Sequence, residues 1–186
     1  VSVVRKAKSE GKVFTAGVSI NNLSLNENDI GDFRTFLKLS PPLRTEDDRL
    51  SLVEGLKDGT IDVIVSDHKP EDEESKRLTF SQAATGASGI ETLLPLSLEL
   101  FHNESINLIK LIASMTCNPS KILDIDKGTL EIGREADFCV VDINKPWIVN
   151  KNELNSKSKN TPIENRKMQG QVLMTYVKGE LVFERK

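Results

Sequence analysis

Two histidines and two cysteines are all the imidazole and thiol the sequence offers, too few to furnish a full metal site. Cys117 and Cys139 lie far apart, and Cys139 falls inside an apolar, strand-like run. That spacing excludes a zinc ribbon and a disulfide framework and leads us to expect two reduced, buried thiols. Excess charge of one sign is also missing: 25 Lys and Arg against 28 Asp and Glu leave a formal net charge of −3, which argues against a nucleic-acid partner. No apolar run is long enough to span a bilayer, since "GIETLLPLSLELF" is broken by charge and proline. No signal-peptide pattern opens the chain. The expectation is a soluble, cytoplasmic protein with neither nucleic acid nor membrane as partner. The first residue is Val1, and "VSVVRKAKSEGK" reads as the middle of a helix, so the sequence is expected to be the C-terminal part of a longer polypeptide.

What is present has a clear rhythm, and 186 residues suffice to bury a proper core. Val3, Val4 and Ala7 mark a helix ended by Gly11, and a strand is expected over 13–20. Thr45 and Asp48 resemble a capping box for a helix with Leu50, Val53 and Leu56 on one face, stopped by Gly59. The run 61–65 follows as a strand buried on both faces. Helix and strand in alternation predict a parallel α/β sheet or barrel. Ile90, Leu94, Leu98 and Phe101 recur at helical spacing, as do Leu108, Leu111, Ile112 and Met115, while Asn118-Pro119 reads as N-cap and first position of a short helix. Near Lys127 the pattern changes to short β-type runs with glycine turns, including a hairpin at Lys178-Gly179. The boundary is placed there, dividing the chain into residues 1–126 and 127–186. The polar stretch 150–170 is expected to be a surface excursion.

The last residues of the best strand carry the most suggestive chemistry. In parallel α/β folds the C-terminal strand ends form the active-site face. Asp67, at that end, could bind a metal and shuttle a proton, or could cap the following turn. His68 could be a metal ligand or support one, whereas His102, at a helix end, is expected to face solvent. The acidic run Pro70-Glu71-Asp72-Glu73-Glu74 reads as a solvated loop.

Several motifs, taken together, resemble the dihydroorotases. "PPLRTEDDRLSLVEGLKDGTIDVIVSDHKP" is similar to the stretch of that family running through Pro-Pro-Leu-Arg, a helix, and a strand ending in Asp-His-x-Pro. "GIETLLPLSLEL", "CNPSKIL", "KGTLEIGREADFCVVD" and "SKSKNTP" follow in the family's order, so the resemblance covers essentially the whole chain. Gly128 to Asp137 carry the Gly-x-Leu-x-x-Gly-x-x-Ala-Asp motif of the wider amidohydrolase superfamily, and "SKSKNTP" points more narrowly to dihydroorotases.

The resemblance implies an α/β fold: the C-terminal portion of a metal-dependent hydrolase (β/α)8 TIM barrel plus strands of a small β-sandwich. It implies a zinc enzyme, with two ions in the full-length protein, that interconverts the small molecules N-carbamoyl-L-aspartate and (S)-dihydroorotate in pyrimidine biosynthesis. Metal-activated hydroxide attacks the ring amide, and Asp67, as catalytic residue and metal ligand, accepts the proton and returns it to the leaving nitrogen. Most metal ligands and the carboxylate-binding arginine would lie upstream. Substrate contacts would fall on Ser40, Glu71, Thr85 and Gly86. Departures mark four places: Ser40 stands where the family has Asn, Glu71 where it has His, Thr85-Gly86 where it has a Phe-Gly or similar pair, and "SINNL" (Ser19 to Leu23) where many members carry a histidine pair. These keep two alternatives in view, a related cyclic amidohydrolase of allantoinase type and a non-catalytic dihydroorotase-like subunit that partners aspartate transcarbamoylase. A homodimer is the other assembly the resemblance allows.

Overall fold

A computed structural model describes residues 1–185. The chain opens with α1 (Ser2–Ser9), a short strand β1 (Gly17–Ser19), and α2 (Ile20–Ser24), which Ser19 caps by accepting from the Asn21 N–H. Two 3-10 turns, Glu27–Ile30 and Thr35–Leu37, lead to α3 (Glu46–Asp58). Thr45 caps α3 by accepting from the Asp48 N–H at 3.2 Å, a contact typically worth about 1 kcal/mol. The helix ends as expected at Gly59. The chain then enters β2 (Val63–Val65), which pairs in parallel with β1, Ser19 opposite Val65. Parallel neighbours need such a crossover, and α3 supplies it.

The expected strand over 13–20 shrinks to three residues. Only Gly17, Val18 and Ser19 have partners on β2, while Val13 is fully exposed and Ile20 already starts a helix. Val65 is 46 % exposed and Leu50 50 % exposed, so β2 is buried on one face and the α3 stripe is narrower than the expected one.

Beyond β2 come α4 (Glu73–Lys76), α5 (Leu93–His102), α6 (Leu108–Met115) and α7 (Cys117–Ile122). Asn107 caps α6 through the Lys110 N–H at 2.9 Å. α7 begins at Cys117 rather than after Asn118, which leaves Pro119 in the first turn, where its missing N–H costs no helical bond. Leu96, Leu98, Leu111, Leu56 and Ile20, each at most 1 % exposed, lead the core between these helices and the parallel pair. Each such side chain contributes roughly 1.5–3 kcal/mol relative to exposure.

The last third forms an antiparallel sheet in the order β3 (Phe138–Ile148), β4 (Lys167–Val177), β5 (Glu180–Glu184). Lys178 and Gly179, both at positive φ, make the expected tight hairpin. α5 packs against β4. Arg166 reaches Glu99 of α5 at 2.8 Å, and burial pushes the Glu99 carboxyl above its ordinary range despite that partner.

Three expectations are corrected here. The stretch 150–170 is no surface excursion: Leu154, Asn160, Thr161, Ile163 and Met168 are all buried, so this segment folds back onto the helical region. Cys139 is exposed and Cys117 only half-buried, because the strand face carrying Cys139 is not covered. His102 does not simply face solvent; its Nε2 lies 3.0 Å from the Ile143 carbonyl oxygen. No helix among the described residues is long and apolar enough to cross a membrane.

Candidate active site

The parallel register places Ser19 beside Val65, so the residues two positions beyond each, Asn21 and Asp67, leave the sheet at the same end. Asp67 is half-buried and takes φ +48°. Aspartate tolerates this left-handed backbone better than most residues, because its short polar side chain can bond locally. The chain leaves the strand at this residue, and just beyond it His68 and Lys69 pair with Ala87, the Lys69 N–H donating to the Ala87 carbonyl at 2.8 Å.

His68 fastens that pairing with its side chain as well as its backbone. Its Nδ1 accepts from the Gly89 N–H at 3.1 Å and the Ile90 N–H at 3.3 Å, and its backbone bridges in parallel to Ala87. Two donors aimed at Nδ1 require its lone pair, so the neutral ring carries its proton on Nε2. Gly89 is obligatory there, because a Cβ would fall 2.5 Å from the Ser66 carbonyl oxygen. Gly86 takes φ +145°, and a Cβ would sit within 3 Å of the Lys69 backbone and stem.

The substrate-contact candidates divide into one exposed residue and a tied group. Ser40 is exposed at a surface turn whose neighbour Pro42 accepts from Asn22 Nδ2 at 3.2 Å. Thr85 is half-buried and Gly86 buried; the Gly86 N–H donates to the Lys38 carbonyl at 3.0 Å. Glu71 is half-buried, with its carboxylate 3.6 Å from Lys69 Nζ, so the negative charge introduced at this position has a cation beside it. Two clefts of about 630 and 660 Å³ between α5 and the C-terminal sheet are lined by none of these residues or by Asp67.

Sequence reasoning missed the residues that hold this rim. Lys76, just past the acidic run, is 1 % exposed, and its Nζ donates to the carbonyls of Thr35 at 3.1 Å, Lys38 at 3.4 Å and Ala84 at 2.8 Å. Burial lowers its pKa to about 8, with Glu71 opposing and Lys38 and Lys69 adding to the fall. Lys38 Nζ reaches back to the carbonyls of Ser81 and Ala83 at 2.8 and 2.7 Å, and Phe33 meets Phe80 edge-on at 5.6 Å. Nothing in a lone lysine beside three acids signals this. Asn160, in "SKSKNTP", is the other anchor, and there the motif itself was the signal.

Among the described residues no three His, Cys, Asp or Glu side chains converge as a metal site. Asp67 is the one free carboxylate at the sheet end, His68 Nδ1 is engaged, and the buried Asn21 amide has neither of its polar atoms paired. These residues fit one ligand of a metal centre and not a whole centre.

Residues 9–182 match the Amidohydrolase family. The chain belongs to that family. Members of the family are generally metal-dependent hydrolases. The chain is 43 % identical over 183 residues to a dihydroorotase of Ehrlichia canis (strain Jake), and 40 % identical over 186 residues to one of Wolbachia sp. subsp. Drosophila simulans (strain wRi). These alignments cover 98 % and 100 % of this chain but 41 % and 42 % of those proteins. The chain thus spans about two-fifths of the curated relatives it matches. Among solved structures, an L-hydantoinase (dihydropyrimidinase) from Arthrobacter aurescens superposes with a TM-score of 0.92 at 29 % identity, over 98 % of this chain and 42 % of that one. A D-hydantoinase at 22 % identity, TM-score 0.89, shares the fold. The architecture is accordingly the C-terminal portion of the amidohydrolase TIM barrel with strands of the small β-sandwich.

Proposed function

We propose that the intact protein is a dihydroorotase, catalysing the reversible cyclisation of N-carbamoyl-L-aspartate to (S)-dihydroorotate. The observation that carries this is the 40–43 % identity to dihydroorotases along essentially the whole chain. In this reading Asp67 is both catalytic residue and metal ligand. Its carboxylate takes the proton from the attacking water in ring opening and delivers it to the departing ring nitrogen; cyclisation runs the same transfers backwards. A carboxylate at a strand end, next to a His68 bonded to Gly89 and bridged to Ala87, is rigid enough for both transfers. Zinc would supply Lewis acidity when bound, but this chain contributes one ligand, so no step here is drawn through it.

Ser40, Glu71, Thr85 and Gly86 form the substrate rim in this proposal, with the Glu71 charge offset by Lys69. Residues 1–126 belong to the barrel and 127–186 to the small β unit, except that the buried part of 151–168 packs back toward the barrel. A second reading, a related cyclic amide hydrolase, draws support from the hydantoinase superposition and from the acid at position 71. One experiment separates them: zinc content and turnover of the intact protein with carbamoyl-aspartate, dihydroorotate, allantoin and hydantoin. Turnover of the first pair is expected; turnover of only the others would replace the assignment. Association with itself or with aspartate transcarbamoylase is tested by sedimentation of the intact protein with and without the transcarbamoylase.

A further inference from the structure

Asn160 is 1 % exposed, lies in a stretch without regular secondary structure, and uses its whole carboxamide. Oδ1 accepts from Ser88 Oγ at 2.8 Å, from Ser158 Oγ at 2.5 Å and, at the long limit of 3.4 Å, from the Glu71 N–H. Nδ2 donates to the Gly86 carbonyl at 3.2 Å. Its own backbone carbonyl accepts from the Ser88 N–H at 3.2 Å. The Ser158 hydroxyl also lies against the Glu71 carbonyl. A hydroxyl has one hydrogen, so Ser158 gives it either to Glu71 or to Asn160. Two stretches on either side of α4, Glu71 and Gly86–Ser88, are therefore tied together through a segment more than 70 residues further along the chain, in addition to the direct bond from the Lys69 N–H to the Ala87 carbonyl at 2.8 Å.

Only a side chain with a donor and an acceptor on one planar group can serve the Gly86 carbonyl and the Glu71 and Ser88 donors at once. Aspartate lacks the donor, and leucine lacks both. We propose that Asn160 is a positioning residue for the substrate rim: it sets Glu71 and Gly86 at a fixed separation, and thereby tunes substrate affinity rather than the chemical step. The inference rests on the dihydroorotase reading for the meaning of that rim. Asn160 touches no reacting atom. A carboxamide that merely closes a polar gap would look similar in a static structure, but it would behave differently on substitution. A gap-closer alters the folded fraction, whereas a positioning group alters KM.

The test uses the intact protein with Asn160→Asp, Asn160→Ala and the milder Ser158→Ala. Losing a buried hydrogen bond that orients the rim is expected to raise KM for carbamoyl-aspartate by roughly ten- to a hundredfold in the two Asn160 variants, with kcat within about threefold of the parent. Asn160→Asp carries its own control, because a protonated carboxyl can again donate to the Gly86 carbonyl. Its KM should recover toward the parent value as pH falls to about 5, while Asn160→Ala should not. Amide hydrogen exchange should quicken at Glu71 and Ser88 in both Asn160 variants and stay unchanged in β1 and β2. A fall in apparent kcat that tracks the folded fraction at constant KM would overturn the proposal. If both Asn160 variants fail to fold, Ser158→Ala decides it: faster exchange at Glu71 with raised KM supports the positioning role, and an unchanged rim overturns it. If the parent does not turn over carbamoyl-aspartate, the dihydroorotase reading falls, and the exchange pattern still decides whether Asn160 fixes the rim.

Discussion

The rim between β2 and α5 and the three-stranded sheet at the C-terminal end are both rich in polar residues, yet they are held in opposite ways. In the rim the polar groups are buried: Lys76 in a nest of three carbonyls, Asn160 among Glu71, Gly86 and Ser88. In the sheet and the loop that leads into it they lie outside, where Lys127 joins Glu135 and Asp137, Arg134 joins Asp126, and every residue of β5 is exposed. A buried polar group that loses its partner keeps its full desolvation penalty, whereas an exposed pair exchanges its partner for water. The rim therefore has one permitted geometry. The sheet depends on its backbone ladder and tolerates change in its side chains.

The largest effect should come from Asp67, the proposed catalytic residue. Asp67→Asn nearly preserves volume, so the unfolding midpoint should stay close to the parent's, while turnover of carbamoyl-aspartate falls by at least ~10²–10⁴-fold through loss of the proton acceptor. Wild-type turnover in this variant would remove Asp67 from the mechanism. Next is Lys76. Its pKa of about 8 in the folded protein lies below the ordinary 10.5. Between those two values the unfolded chain binds more protons, so stability gains from this group as pH rises through 8 to 10.5, and the cost of the buried charge is fully present below 8. Denaturant unfolding across that range should show the parent gaining up to about 3 kcal/mol relative to Lys76→Met. Parallel curves would mean that Lys76 is not confined as described, and the contrast with the sheet would weaken.

The sequence shows some of this contrast and hides the rest for identifiable reasons. α3 was legible because Thr45 and Gly59 act locally, and the Lys178-Gly179 hairpin because its turn demands positive φ. The strand at 13–20 was overestimated because pairing, not propensity, sets strand length, and β2 offers partners for three residues. The excursion at 150–170 was misjudged because Asn160 and Thr161 are polar and yet buried, Asn160 being satisfied by Ser88 and Gly86, more than 70 residues away. Asp67 was visible as an acid at a strand end. Lys76 was invisible, since its carbonyl partners at Thr35, Lys38 and Ala84 are backbone atoms that no side-chain pattern records.

A smaller effect is expected at Glu71, where the two regimes meet: its backbone is tied inward while its side chain pairs with the more exposed Lys69. Replacing the acid with an imidazole removes a negative charge from the approach of a dianionic substrate. Glu71→His should therefore leave KM for carbamoyl-aspartate unchanged or lower it by a few-fold, with the change shrinking in high salt. A strong rise in KM would show Glu71 contributing positively to recognition, and would move the related cyclic amide hydrolase ahead of the dihydroorotase.

The smallest effect belongs to the sheet, and it is the one that tests the comparison most directly. Lys127 contacts both Glu135 and Asp137, and these acids hold its ammonium above the ordinary lysine range. By contact geometry alone it looks as well anchored as Lys76. It is exposed to solvent, however, so water and salt replace what a substitution removes, and Lys178, 3.8 Å from Glu135, remains to offset the two acids. Lys127→Ala should leave the denaturant midpoint of the intact protein within experimental error of the parent at both low and high salt. A loss matching that of Lys76→Met would mean that exposed pairs hold this sheet as firmly as buried ones hold the rim, and burial would no longer explain why only the rim has a single permitted geometry.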